Sequence, residues 1–180
     1  MKFVRFLLFP FAILYDLITS IRNFFFNSGF LKETSFQTPI IVVGNLNVGG
    51  TGKTPQIEHL VRFLKDVYNI SVLSRGYKRK TKGFVRLNEN HTAKDVGDEP
   101  LQYFKKFSQI TVAVDENRVE GVNNLVQQIA PEVVLLDDAY QHRKIKGSFY
   151  ILLTKHDDLF TDDFLLPMGN LRESRAGANR

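Results

Sequence analysis

The segment Ile40–Thr54 (IIVVGNLNVGGTGKT) combines three features that together bind phosphate. An apolar run leads into a glycine-rich turn, and Lys53-Thr54 then opens a polar-apolar periodic stretch. Glycines 49, 50 and 52 permit backbone angles closed to other residues, so the turn can aim its N–H groups at an anion. The helix start adds its dipole. Lys53 is placed to reach the β- and γ-phosphates of a nucleotide, and the Thr54 hydroxyl to sit on Mg²⁺. The predicted nucleotide-binding set is Asn47, Val48, Gly49, Gly50, Thr51, Gly52, Lys53 and Thr54. The G-x-x-x-x-G-K-[ST] pattern asks for Gly at position 47, where this chain has Asn47. Asn tolerates left-handed backbone angles better than most residues, and is expected to serve for that reason.

A triphosphate site also needs a carboxylate for the metal or its water. Val133–Asp138 (VVLLDD) is an apolar run ending in two acids, as in a Walker B strand. Asp137 is expected on the metal side with Asp138 beside it. Gly97–Pro100 (GDEP) is a second acidic spot. It reads either as a helix cap or as the source of a general base that takes a proton from an acceptor hydroxyl. The basic stretch Ser74–Lys82 (SRGYKRKTK) reads as a phosphate-holding loop or a solvated one. Thr154–Asp157 (TKHD) matches [NT]-K-x-D, the guanine-reading pattern of GTPases, yet the D-x-x-G such proteins carry after their Walker B strand is missing.

The elements that must position these residues alternate in type. Expected strands are 39–44, 70–73, 84–87, 110–114, 133–136 and 150–153, and expected helices are 54–65 and 118–129. Continuous apolar strands alternating with helices indicate an α/β fold, a doubly wound and mostly parallel sheet of the P-loop NTPase kind. Ligands in such sheets bind at the carboxyl ends of the strands.

Residues 1–31 differ from the rest. The uninterrupted apolar run 6–15 is shorter than the roughly 20 residues of a membrane span. Leu7, Phe11, Leu14, Ile18, Ile21 and Phe25 recur at helical spacing, with Asp16, Thr19, Ser20 and Asn23 opposite. This predicts a helix lying in a membrane interface, or the same helix packed on its own domain. No small-residue cleavage site follows, so the segment does not read as a cleaved signal peptide. The domain division expected is 1–31 as a membrane-associating segment and 32–180 as a nucleotide-binding domain. Cysteine is absent, which removes disulfides and thiolate metal sites. The net charge of +5 allows an anionic partner without selecting one.

VGNLNVGGTGKTP, SRGYKRK, GDEP, LLDDAYQHRK and LLPMGNLRE occur in this order and closely resemble the bacterial tetraacyldisaccharide 4'-kinase family of lipid A biosynthesis. The opening segment is similar too, and the family's own phosphate loop lacks the first Gly. The resemblance implies a peripheral enzyme on the cytoplasmic face of the inner membrane. Its cofactors would be ATP and Mg²⁺, its substrate a tetraacyldisaccharide 1-phosphate, its product lipid IVA, and nucleic acid would not be a partner. It makes Asp98 the base, keeps Lys53 catalytic and Thr54, Asp137 and Asp138 on the metal, and points to His142, Arg172, Glu173 and, more weakly, Arg118 as substrate contacts. The TKHD match falls where the family has no guanine motif. The resemblance implies a second, smaller α/β domain after the LRE motif and a downstream His paired with the GDEP aspartate. This chain stops at Arg180 and is expected to be the N-terminal part. The alternative reading is a membrane-attached GTPase or ATPase switch acting through partners.

Overall fold

In a computed structural model residues 5–179 are described. The chain divides into two compact units. One comprises Met1–Glu33, Asn45–Gly52 and Leu152–Arg180; the other comprises Thr34–Gly44 and Lys53–Ile151.

The six-stranded sheet uses β1 (Ile40–Asn45), β2 (Ile70–Ser74), β3 (Val85–Arg86), β4 (Thr111–Val114), β5 (Val133–Asp137) and β6 (Phe149–Leu153). Their order is β3-β4-β2-β5-β1-β6. The pairs β1–β5, β5–β2 and β2–β4 are parallel, and β3 joins β4 antiparallel at one edge. The expected strands are all present, with no end moved by more than one residue. Every residue of β5 is buried although neighbours point to opposite sides, so both faces of this strand are covered.

The helices of the second unit connect the strands. They are α2 (Lys53–Leu64), the single turn α3 (Ala93–Val96), α4 (Asp98–Lys106) and α5 (Arg118–Ile129). α5 has the bounds expected from periodicity. It starts at an Asn117 cap, whose side chain accepts from the Glu120 N–H, and ends at left-handed Ala130. Its Val122 and Leu125 pack in a core with Ile40, Val42, Leu73, Ala113, Val134, Leu136 and Ile145. α2 contributes Ile57 and Val61, both fully buried.

In the first unit the helix α1 (Phe9–Asn27) presents its apolar side outward. Leu7, Phe11, Leu14, Ile18, Ile21 and Phe25 are all exposed, as are Phe9, Ile13, Leu17 and Phe24. The apolar surface is therefore wider than the six-residue stripe read from spacing. The opposite side is packed. Ala12 and Thr19 are buried, the Tyr15 hydroxyl donates to the Arg172 carbonyl at 2.7 Å, and the Asn23 amide donates to Glu173 Oε2 at 3.0 Å. Among the described residues no helix is long and apolar enough to cross a membrane.

Candidate active site

The register of the parallel pair β1–β5 sets the site. Val43 lies opposite Asp137, so the chain leaves both strands at the same edge of the sheet. That is the carboxyl-end edge at which open α/β sheets bind ligands.

The loop after β1 is shaped from within. The Asn45 amide donates to the Asn47 carbonyl at 2.7 Å and to the Gly49 carbonyl at 3.4 Å. Gly49 and Gly52 take φ of 112° and 85°, which only glycine adopts without strain. Asn47 corrects the expectation made for it. It is not among the residues with positive φ. It is instead buried, and its amide donates to Asp163 Oδ2 at 3.0 Å. The side chain anchors the loop, and a glycine could not. The Val48 N–H is engaged by the Asn170 carbonyl at 2.8 Å, so this position in the predicted phosphate set contributes no free amide. Thr51 Oγ1 is buried with no hydrogen-bond partner among the described residues.

Helix α2 begins at Lys53, directly after this loop. Lys53 Nζ stands 3.5 Å from Asp138 Oδ1, and the Thr54 hydroxyl donates to Glu99 Oε1 at 3.4 Å. Asp138 has a left-handed backbone, φ 47°, which turns the chain sharply at the strand end. Asp137 is buried and accepts from the Tyr103 hydroxyl at 3.2 Å on Oδ2. Its Oδ1 has no partner among the described residues. Burial, then the charges of Glu99 and Asp138, push the Asp137 carboxyl up to about 7. A carboxylate held this way gains from a cation arriving beside it.

The fit to Mg²⁺ rests on that orphaned buried oxygen. Among the described residues no group of His, Asp and Glu forms a complete metal cage. Mg²⁺ usually takes one or two carboxylates plus substrate phosphates and water, so Asp137, Asp138 and Thr54 form the kind of partial donor set it uses.

The GDEP segment builds a helix start. Asp98 is the first residue of α4, preceded by Gly97 at φ 96°. A Cβ on Gly97 would come within 3.2 Å of the Gly76 backbone. The SRGY loop and the GDEP turn therefore touch backbone to backbone. Asp98 itself is exposed. α4 is tied to α2 by Glu58, a buried acid not singled out in the sequence. Glu58 accepts from Arg62, Gln102 and Lys106 at 3.1, 2.8 and 2.6 Å.

A cationic group lies near the acids. Arg118 is buried, donates to the Asp115 carbonyl at 3.0 Å, and leaves Nε without a partner among the described residues. Burial, then the charge of Arg75, lowers its guanidinium to about 10. Burial first, then Arg118, Lys144 and Arg75, push the His142 imidazole down to about 4. The second unit contains Lys53, Thr54, Asp98, Arg118, Asp137, Asp138 and His142 from the predicted set. Arg172 and Glu173 belong to the first unit, where Glu173 is buried and its Oε2 lies 3.9 Å from the Arg22 guanidinium. In the TKHD segment the Asp157 side chain is 98% exposed, and Thr154 Oγ1 accepts from the Phe160 N–H.

The family described as "LpxK: Tetraacyldisaccharide-1-P 4'-kinase" matches residues 4–180. A tetraacyldisaccharide 4'-kinase of Flavobacterium johnsoniae is 63% identical over 181 residues, covering 100% of this chain and 53% of the relative. One from Bacteroides thetaiotaomicron is 51% identical over 175 residues, 96% of this chain and 46% of the relative. The chain thus spans about half the length of the curated relatives it matches. A crystal structure of LpxK from Aquifex aeolicus in complex with ATP superposes with a TM-score of 0.91 at 40% identity, over 98% of this chain and 56% of that one. The chain belongs to the tetraacyldisaccharide-1-P 4'-kinase family.

Proposed function

We propose that this chain carries the nucleotide-binding and phosphoryl-transfer half of a lipid A 4'-kinase. The reaction moves the γ-phosphate of ATP to the 4'-hydroxyl of a tetraacyldisaccharide 1-phosphate, giving lipid IVA. The observation that carries it is the placement of Lys53 and Thr54, at the start of the helix after the glycine-rich loop, beside the Asp137–Asp138 pair.

In this reading the loop N–H groups from Gly49 onward and the α2 dipole hold the phosphates. Lys53 offsets charge that grows on the β–γ bridging and γ oxygens. Thr54, Asp137 and Asp138 would hold Mg²⁺, which would supply positive charge against the phosphate oxygens. Asp98 accepts the proton of the 4'-hydroxyl as the oxygen attacks phosphorus. His142, Arg118, Arg172 and Glu173 are each proposed as glycolipid contacts. Desolvated, incompletely bonded cations such as Arg118 suit an anionic headgroup.

Residues 1–31 are proposed as the membrane-associating segment, with 32–180 as the kinase domain. Outward Phe, Leu and Ile on α1 fit a helix lying in the headgroup region, where the acylated substrate also resides. The location is then peripheral, on the cytoplasmic face of the inner membrane.

Nucleotide competition and transfer together test the proposal. With the full-length protein, ATP should displace a labelled ATP analogue better than GTP, and γ-labelled ATP should label the disaccharide at the 4'-position. Preferential displacement by GTP, without label transfer, would replace this reading by a nucleotide switch.

A further inference from the structure

We infer that Tyr103 is a positioning residue that fixes which oxygen of Asp137 is offered to the metal; the inference rests on the nucleotide site proposed above. Tyr103 is fully buried on α4, fifty residues along the chain from the phosphate-loop lysine. Its hydroxyl donates to Asp137 Oδ2. That bond leaves Oδ1, buried and without a partner among the described residues, as the oxygen free for an incoming cation. The Thr54 hydroxyl, another of the proposed metal-holding groups, donates to Glu99 on the same helix as Tyr103.

Helical spacing extends the arrangement. Glu99 and Tyr103 are four residues apart, so they share one face of α4. Glu99 accepts from Thr54 while Tyr103 donates to Asp137. A single turn of helix thus orients a group from α2 and a group from β5, and the same helix begins with Asp98. A phenol is suited to the task. Its O–H donates a single hydrogen bond, and its ring fills the buried position. Outer partners of this kind commonly change metal affinity by about 10–100-fold when removed.

Tyr103→Phe keeps the ring and deletes the hydroxyl. In the full-length protein, MgCl₂ is titrated against a fluorescent ATP analogue and the Mg²⁺ half-saturation is read. We expect it to rise about tenfold in Tyr103→Phe, while analogue affinity in EDTA stays within about twofold. Tyr103→Met, also lacking the hydroxyl, should show the same rise; each variant is compared with itself in EDTA, so a general loss of stability cancels. In an Asp137→Asn background the Tyr103→Phe effect should shrink to less than about twofold, because the partner is already changed. A titration of Tyr103→Phe that superposes on the unsubstituted protein would overturn the inference. So would an undiminished effect in the Asp137→Asn background. An unsubstituted protein that binds no analogue at any Mg²⁺ concentration would instead refute the proposed function itself, and this inference with it.

Discussion

Lys53 Nζ and Asp138 Oδ1 stand 3.5 Å apart, with the lysine side chain only 10% exposed. The phosphate-loop lysine is thus held by the acid that directly follows β5. A nucleotide entering the loop brings a stronger anion to the same ammonium. Lys53→Ala removes one charge-assisted contact to phosphate and leaves Asp138 with one fewer cation. We expect labelled ATP analogue to bind about 10–100-fold more weakly, read by titration fluorimetry. Unchanged affinity would remove Lys53 from the site.

Asp98 is exposed at the first position of α4, where its carboxylate is not required to fill the core. Asp98→Ala in the full-length protein should therefore leave ATP-analogue binding within about twofold and cut phosphoryl transfer by about 10²–10⁴-fold. Loss of binding and transfer together would assign Asp98 to folding or to the metal.

Gly97 joins a φ of 96° to close contact with the Gly76 backbone. Gly97→Ala meets both a conformational and a steric cost, about 1–3 kcal/mol in all. The thermal midpoint should fall. Transfer should fall further than that loss of stability explains, because Asp98 follows directly. A variant with the unsubstituted midpoint and full activity would show that the turn can relax.

His142 gives a pH signature. Its folded imidazole is pushed down to about 4 from an ordinary 6.5, so the unfolded chain binds more protons between these values. Stability contributed by this group is present above pH 6.5 and is lost as pH falls toward 4. Thermal melts of His142→Asn should lose less stability between pH 7 and pH 5 than the unsubstituted protein. Parallel curves would mean that His142 titrates alike in both states.

The exposed face of α1 predicts a membrane phenotype. Deleting residues 1–31 from the full-length protein should weaken co-sedimentation with anionic liposomes by more than about tenfold, since each large apolar side chain that enters the interface contributes about 1.5–3 kcal/mol. Equal sedimentation with and without the segment would refute its role.

Local pattern made much of this legible. The strand-loop-helix around Lys53 and the strand ending at Asp137 each lie within a short window, and α5 carries its Asn117 cap in sequence. Distant pairings were not legible. Tyr103 reaches Asp137 across 34 positions and Glu58 reaches Lys106 across 48. Nothing near either residue announces such a partner, and a Tyr on an amphipathic helix reads as ordinary core. Asn47 failed differently. Its residue type fitted a backbone explanation, while the bond it makes to Asp163 depends on a loop more than a hundred residues away. For α1 the spacing located the apolar stripe but not which side the fold would leave uncovered.

The four-residue interval from Glu99 to Tyr103 bears on how this chain can change over evolutionary time. Substitutions on the outer side of α4 leave the two grips untouched. An inserted or deleted residue inside the interval turns everything beyond it by about 100°, the rotation of one helical position. One grip would then point away from its partner whichever end was kept. Among descendants of this sequence that remain functional, α4 should therefore drift freely in composition while its length between Asp98 and Tyr103 stays constant.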